Sequence, residues 1–221
     1  MPTATATAIR IDALPFAGPD APAWIRPRYP RLMDYLAGLP AGIHSYPECQ
    51  SRSGILQTFL EAAPRMNEEP DAFVAELLRP ATRGWVSEVA LNAALLAIAD
   101  ATWMTDAQFL EWNRATNRAL YKGLVYRALM AIFSPAQLLD RAGARWESFH
   151  RGTRLMVMNE KATATSAPGE LTFPPRLFTP LLLGVYGEAF AAGFEHARGR
   201  DVTVELEAWS DTSGRFLARW R

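Results

Sequence analysis

Cysteine is almost missing from this chain of 221 residues: Cys49 stands alone, which excludes an intrachain disulfide and any cysteine-rich metal site. Histidine is nearly as scarce, with only His44, His150 and His196. The sequence has no HExxH, CxxC or compact histidine–carboxylate cluster, so no metal ligand and no cofactor is assigned. Neither sign of charge is in excess. The 23 basic side chains balance 23 acidic ones, against the basic surplus that nucleic-acid binding needs. Long apolar runs are lacking as well. Val89 to Ala99 is interrupted by Asn92 and is about half as long as the roughly 20 residues a bilayer demands, so no transmembrane segment is expected. The N-terminus has no charged segment followed by an apolar run, which argues against a signal peptide and for a cytoplasmic location. Without a GxGxxG or Walker sequence, nucleotide phosphate binding loses its usual local support.

What is present points to an ordered globular protein. Apolar residues make up 49% of the chain and charged residues 21%, and a chain of this length buries roughly 70% of the surface it exposes when unfolded. The order of periodic segments predicts an α+β fold. A helical N-terminal region is followed by a C-terminal helix–hairpin–helix–hairpin unit with a four-stranded antiparallel sheet. The expected divisions are a flexible segment over 1–25, a helical region over 26–104 packed on the main domain, and an α+β domain over 105–221. In the first half, helices are expected over Arg28 to Leu39, Ser51 to Ala63 and Asp71 to Leu78. Trp85 to Ala99 is apolar around most of its circumference and reads as the interior helix.

The second half is organised around an apolar helix from Phe178 to His196. Ahead of it, Thr105 and Gln108 have capping-box spacing, and an apolar stripe runs on from Phe109 as far as Ile132. Ser134, with Pro135 at the first helical position and Gln137 at the third, opens a helix running to Phe149. Beyond Gly152 the period changes to two. Strands are expected at Arg154 to Glu160 and Glu170 to Phe173, with Ser166 to Gly169 as the turn between them. After the central helix, Val202, Val204, Leu206 and Ala208 share one face of a strand. Phe216, Ala218 and Trp220 share one face of the next, and Ser210 to Gly214 supply the turn.

The segments SPAQLLDRAGARWESFHRG, YGEAFAAGF and VTVELEAW with GRFLARW resemble the 4-vinyl reductase domain and the related TRAPP subunits. In pattern they are nearest to a protein family abundant in myxobacteria. The resemblance covers roughly residues 105 to 220 and implies either small-molecule or acyl-chain sensing, as in the former, or protein assembly, as in the latter. The cysteine–histidine cluster of some 4-vinyl reductase domains and the acylated cysteine of TRAPP relatives have no counterpart here, since Cys49 lies upstream of the matched segment.

Several residue groups carry chemistry in principle. His44, Ser45 and Cys49 are close in sequence, but a Cys–His pair needs spatial proximity and a perturbed thiolate. His150 and His196 fall near helix ends, where an imidazolium meets terminal carbonyls. Glu88 and Asn92 share a helical face, as do Asn113 and Asn117, the latter reading as a solvent-facing pair. The aromatics offer the clearest ligand site. A pocket for a small hydrophobic molecule is expected from Glu88, Trp112, Tyr126, Trp146, Tyr186, Phe190 and Phe194, with Tyr126 or Tyr186 as polar anchor; the same rings also suit an ordinary filled core. No catalytic residue is assigned. The leading functional expectation is a non-enzymatic ligand-binding or sensing domain. A constitutive protein-interaction adaptor, paired with a second copy or another protein, is the alternative, and an enzyme with an unrecognised site is the third reading.

Overall fold

A computed structural model describes residues 27–79, 84–123 and 134–221. The flexible segment expected over 1–25 lies outside the described residues, as does the apolar stripe beyond Gly123. The chain divides into two compact units, one ending at Thr105 and one beginning at Asp106.

The first unit is built on α4 (Glu88–Ala101), whose residues from Glu88 to Asp100 are all buried. Around it stand α1 (Pro30–Ala37), α2 (Ser53–Glu61) and α3 (Ala72–Leu77). Helix α1 begins with Pro30, which gives up no hydrogen bond there, but Tyr29 before it provides no side-chain cap. The cap comes from α4: Asp100 Oδ2 accepts from the Leu32 amide at 3.1 Å, and Asp100 Oδ1 accepts from Arg31 at 3.1 Å. Arg31 also donates to the Met104 carbonyl at 2.8 Å. Two sequence expectations change here: Ser51 and Arg52, expected to open the second helix, are strand instead, and that helix begins at Ser53. Trp85–Ser87 is not helical but forms strand β2, antiparallel to β1 (Gln50–Arg52). Gly84 turns the chain at φ +94°, and the Ser87 hydroxyl then accepts from the Ala90 amide, fixing the start of α4 one residue later.

The second unit runs through α5 (Asp106–Lys122), α6 (Pro135–Asp140), α7 (Ala142–Phe149), the two-residue strand β3 (His150–Arg151), β4 (Arg154–Val157), β5 (Ser166–Thr172), α8 (Pro180–His196), β6 (Thr203–Trp209) and β7 (Ser213–Arg219). Strands β4, β5, β7 and β6 form one antiparallel sheet in that order. The α+β class, the alternation of helix and hairpin and the four-stranded antiparallel sheet are as the sequence predicts. Helix α8 starts with Thr179 capping the Leu182 amide and Pro180 at the first turn. It packs closely on the sheet where Gly187 faces the Phe216 ring and the Val204 carbonyl, a Cβ there lying 3.7 and 3.8 Å from them.

Four local features depart from expectation. The strand expected over Arg154 to Glu160 ends at Val157 and is followed by a 3-10 turn over Asn159–Lys161. The helix opened by the Ser134–Gln137 capping box breaks at Arg141, giving α6 and α7. Ser166–Gly169 is strand rather than turn, paired with Phe216 to Arg219 of β7. Pro168 is tolerated within it because the β4 ladder ends at the Val157–Gly169 pair, so the proline sits beyond it. Finally, β6 bulges between Leu206 and Ala208, so Leu206 faces Phe216 while Ala208 faces Arg215. The extra residue reverses the alternation and turns Ala208 out to solvent.

An ion network joins α5 to α8. Glu195 accepts from Arg114 at 2.6 Å and from Arg118 at 2.6 and 2.7 Å, Arg114 also pairs with Glu188 at 3.3 Å, and the Tyr121 hydroxyl donates to the Ala189 carbonyl at 3.3 Å. The hydrogen bond from Arg118, then that from Arg114, hold the Glu195 carboxyl down to about 2 from an ordinary 4.5. A depressed carboxyl pKa contributes stability that is complete above the ordinary value and is lost as the group protonates. Denaturant midpoints should therefore fall between pH 4.5 and about 2 in the wild type, and fall less in Glu195→Gln. Because Glu195 is a quarter exposed and Arg118 half exposed, the difference should be about 1 kcal/mol. Equal slopes for the two proteins would show that the network contributes nothing.

Candidate functional site

The site of interest in the second unit is assembled from the end of α7, the start of β3 and one face of α8. Trp146 lies on α7 and is 6% exposed. Its indole Nε1 donates to the Thr153 hydroxyl at 2.9 Å, which satisfies the one polar atom of the buried ring. His150, four residues on, caps α7 and lays its imidazole against the indole, with centroids 3.9 Å apart and planes 13° from parallel. Tyr186 and Phe190, one turn apart on α8, close the group from the other side. The Tyr186 ring stands edge-on to Trp146 at 5.4 Å and to His150 at 5.7 Å, and Phe190 lies 6.0 Å from Trp146. The rings continue outward through Phe178, 4.8 Å from Tyr186, to Phe173, and through Phe190 to Phe216 at 5.3 Å. Each of these separations is that of rings in contact.

Of the residues proposed from sequence, Trp146, Tyr186 and Phe190 are brought together. Phe194 sits one turn further along α8, stacked on Trp220 at 4.9 Å in a cluster with Ala167, Ala191, Val202 and Ala218. Trp112 is half-buried on α5 with its ring 6.0 Å from that of Phe109. Glu88 belongs to the first unit, and Tyr126 lies outside the described residues. Sequence reasoning missed His150, Phe173, Phe178 and Phe216 as members of the group. The i, i+4 spacing of Trp146 and His150 was a usable signal; the approach of Phe173 and Phe178 across the β5–α8 connection left none.

The other candidate groups resolve differently. In the first unit Glu88 is wholly buried, with its carboxylate accepting from the Ser51 hydroxyl and its amide donating to the Cys49 carbonyl at 2.9 Å. Asn92 donates to the Tyr35 hydroxyl at 3.2 Å. Cys49 is also fully buried, and burial, reinforced by Glu48 and Glu88, pushes its thiol up to about 12. A thiol held there stays protonated at neutral pH and is a poor nucleophile; His44 meanwhile is exposed. Asn113 and Asn117 are buried rather than solvent-facing. Each amide nitrogen donates to the carbonyl four residues back, Phe109 at 2.8 Å and Asn113 at 2.9 Å, which satisfies the two nitrogens, while Asn113 Oδ1 has no hydrogen-bond partner among the described residues. Among the described residues no group of three or more histidine, cysteine or acidic side chains is placed to hold a metal, and no helix is long and apolar enough to cross a membrane.

No family model and no curated protein matches the chain. Solved structures do. The Fe(II) unliganded H-NOX protein from K. algicida is 13% identical, covers 77% of this chain and 96% of its own, and superposes with a TM-score of 0.50. A structure of H-NOX described for its activation mechanism is 8% identical and covers 76% of this chain and 94% of its own, also at 0.50. A third solved structure, concerned with heme redox potential and porphyrin distortion, reaches 0.47 at 9% identity, covering 76% of this chain and 89% of its own. At these identities the likeness is one of fold. It corrects the resemblance read from the sequence, because the architecture shared is that of H-NOX and not that of a 4-vinyl reductase or TRAPP-like domain. The helix–hairpin order over 105–220 prompted that resemblance. The H-NOX likeness takes in over three quarters of the chain, more than the second unit alone contains.

Proposed function

We propose that this chain is a non-enzymatic sensing domain that binds a small, largely apolar molecule at the Trp146–His150–Tyr186–Phe190 group. The observation that carries this reading is the composition of the group. Small-molecule sites are mostly apolar and aromatic with a few polar groups that fix orientation, and here the polar edges of His150 and Tyr186 are embedded among Trp146, Phe178 and Phe190. The H-NOX-like fold supports it as the architecture of proteins described by their iron and its ligand state. Cys49 with its raised pKa offers no competing nucleophile. Since the rings touch one another, a ligand enters by parting them, and occupancy is felt by α7 and α8 together.

Native mass spectrometry of gently purified protein, followed by extraction and identification of whatever is retained, tests this. Retention of one small apolar molecule, weakened in Tyr186→Phe, is the expected result. Uniformly ligand-free protein that also fails to take up apolar probes would overturn it. The mutual contact of the rings favours a second reading, a protein-interaction domain with a filled core, which that same outcome would support.

A further inference from the structure

We infer that the described residues of this chain build an H-NOX-like architecture without a haem site, the aromatic group of the second unit being closed by its own side chains. The argument starts from the donors. Haem iron is held by histidine, thiolate, tyrosinate, or methionine together with histidine, and the whole sequence offers three histidines, one cysteine, six tyrosines and seven methionines. His44 is exposed on a 3-10 turn of the first unit. Cys49 is buried with its thiol pushed up to about 12, the wrong direction for a thiolate ligand. His196 is half-buried at the last turn of α8 with its ring 6.3 Å from that of Tyr121. Tyr35 is buried with its hydroxyl engaged by Asn92, and burial raises its pKa, so a tyrosinate is disfavoured there too.

His150 is the remaining buried histidine, and its setting is wrong for the task. An iron-ligating imidazole projects one nitrogen end-on into a flat slot that accepts the macrocycle. His150 instead lies face to face with Trp146 and edge to face with Tyr186, and Trp146 is itself pinned by Thr153. Nor do Gly184 and Gly214 leave room. A Cβ on Gly184 would lie 3.0 Å from Leu110, and one on Gly214 would lie 2.9 Å from Leu183, so both notches are filled by neighbouring side chains. The histidines, Cys49, Tyr35 and the packing around His150 therefore disagree with haem. This inference stands independently of whether the aromatic group takes another ligand.

The test is expression of the full chain with iron and a haem precursor, then hemin titration of the purified protein followed by absorption and by thermal midpoint. The inference expects protein without a stoichiometric Soret band, and a hemin signal that is broad, does not saturate, and is unchanged in His150→Ala. Thermal midpoints with and without hemin should coincide. Saturable binding of one haem per chain with a sharp Soret band would overturn it, and the His150→Ala, His196→Ala and Tyr186→Phe variants would then identify the ligand. Because Trp146 and its neighbours are untouched in His196→Ala, loss of folding in the His150 variant does not obscure the outcome.

Discussion

Replacing Trp146 with alanine will destabilise the protein by about 3–5 kcal/mol, the range for truncating a buried aromatic side chain. The indole is 6% exposed, stacks on His150, meets Tyr186 and Phe190, and donates to Thr153. Its loss opens a cavity where three elements converge and strands the Thr153 hydroxyl. Trp146→Phe separates the two contributions: it keeps most of the ring area and removes the hydrogen bond, so it should cost about 1–2 kcal/mol. Urea unfolding followed by circular dichroism reads both. A cost for the alanine variant no greater than that for phenylalanine would mean that the aromatic group is not packed as described.

Removing Arg31 should produce the second large effect, about 2–4 kcal/mol, near the value for breaking a buried ion pair but tempered because Arg31 is 28% exposed. Its partner is not. The Asp100 side chain has no exposure, and burial raises its pKa from 3.8 even though the Leu32 amide and Arg31 pull the other way. A raised carboxyl pKa means stability that is present below 3.8 and diminishes as pH rises through the folded value. Arg31→Ala deepens that loss, so the variant should suffer more at neutral pH than at acid pH. Asp100→Asn retains an acceptor for the Leu32 amide and lets Arg31 relax into water, and should cost about 1–2 kcal/mol with little pH dependence. A penalty for Arg31→Ala that is the same at both pH values would contradict the account of Asp100 as the buried cap of α1.

The architecture of the second unit was legible because its signals are local. The apolar run from Phe178 to His196 announces α8, and the two-residue alternation of β6 and β7 around Ser210 to Gly214 announces a hairpin. What escaped depends on partners distant in sequence. Trp85–Ser87 runs straight into α4 without a change of hydrophobic period, and only its pairing with Gln50–Arg52 makes it a strand. The Ala208 bulge is set by the register against β7, not by the composition of β6. Asn113 and Asn117 read as polar surface because their bonds to the preceding turn are invisible in spacing alone. In the candidate site, Trp146, Tyr186 and Phe190 were foreseen as large apolar residues on inward faces. Glu88 was grouped with them on the strength of an apolar helix, yet its partner is Ser51 in the first unit. The resemblance drawn from the helix–hairpin order failed for a related reason: packing residues and glycines recur wherever a helix crosses a sheet, and so identify a layer arrangement more readily than a family.

The most direct measurement is hydrogen–deuterium exchange on the full chain with and without the molecule recovered from it. If occupancy parts and then locks the aromatic group, protection should rise together in Ala142–Phe149 and in the Tyr186–Phe190 stretch of α8, leaving the outer strands unchanged. Protection confined to β4 or β6, or no change anywhere while the molecule remains bound, would contradict it and place the binding surface elsewhere on the sheet.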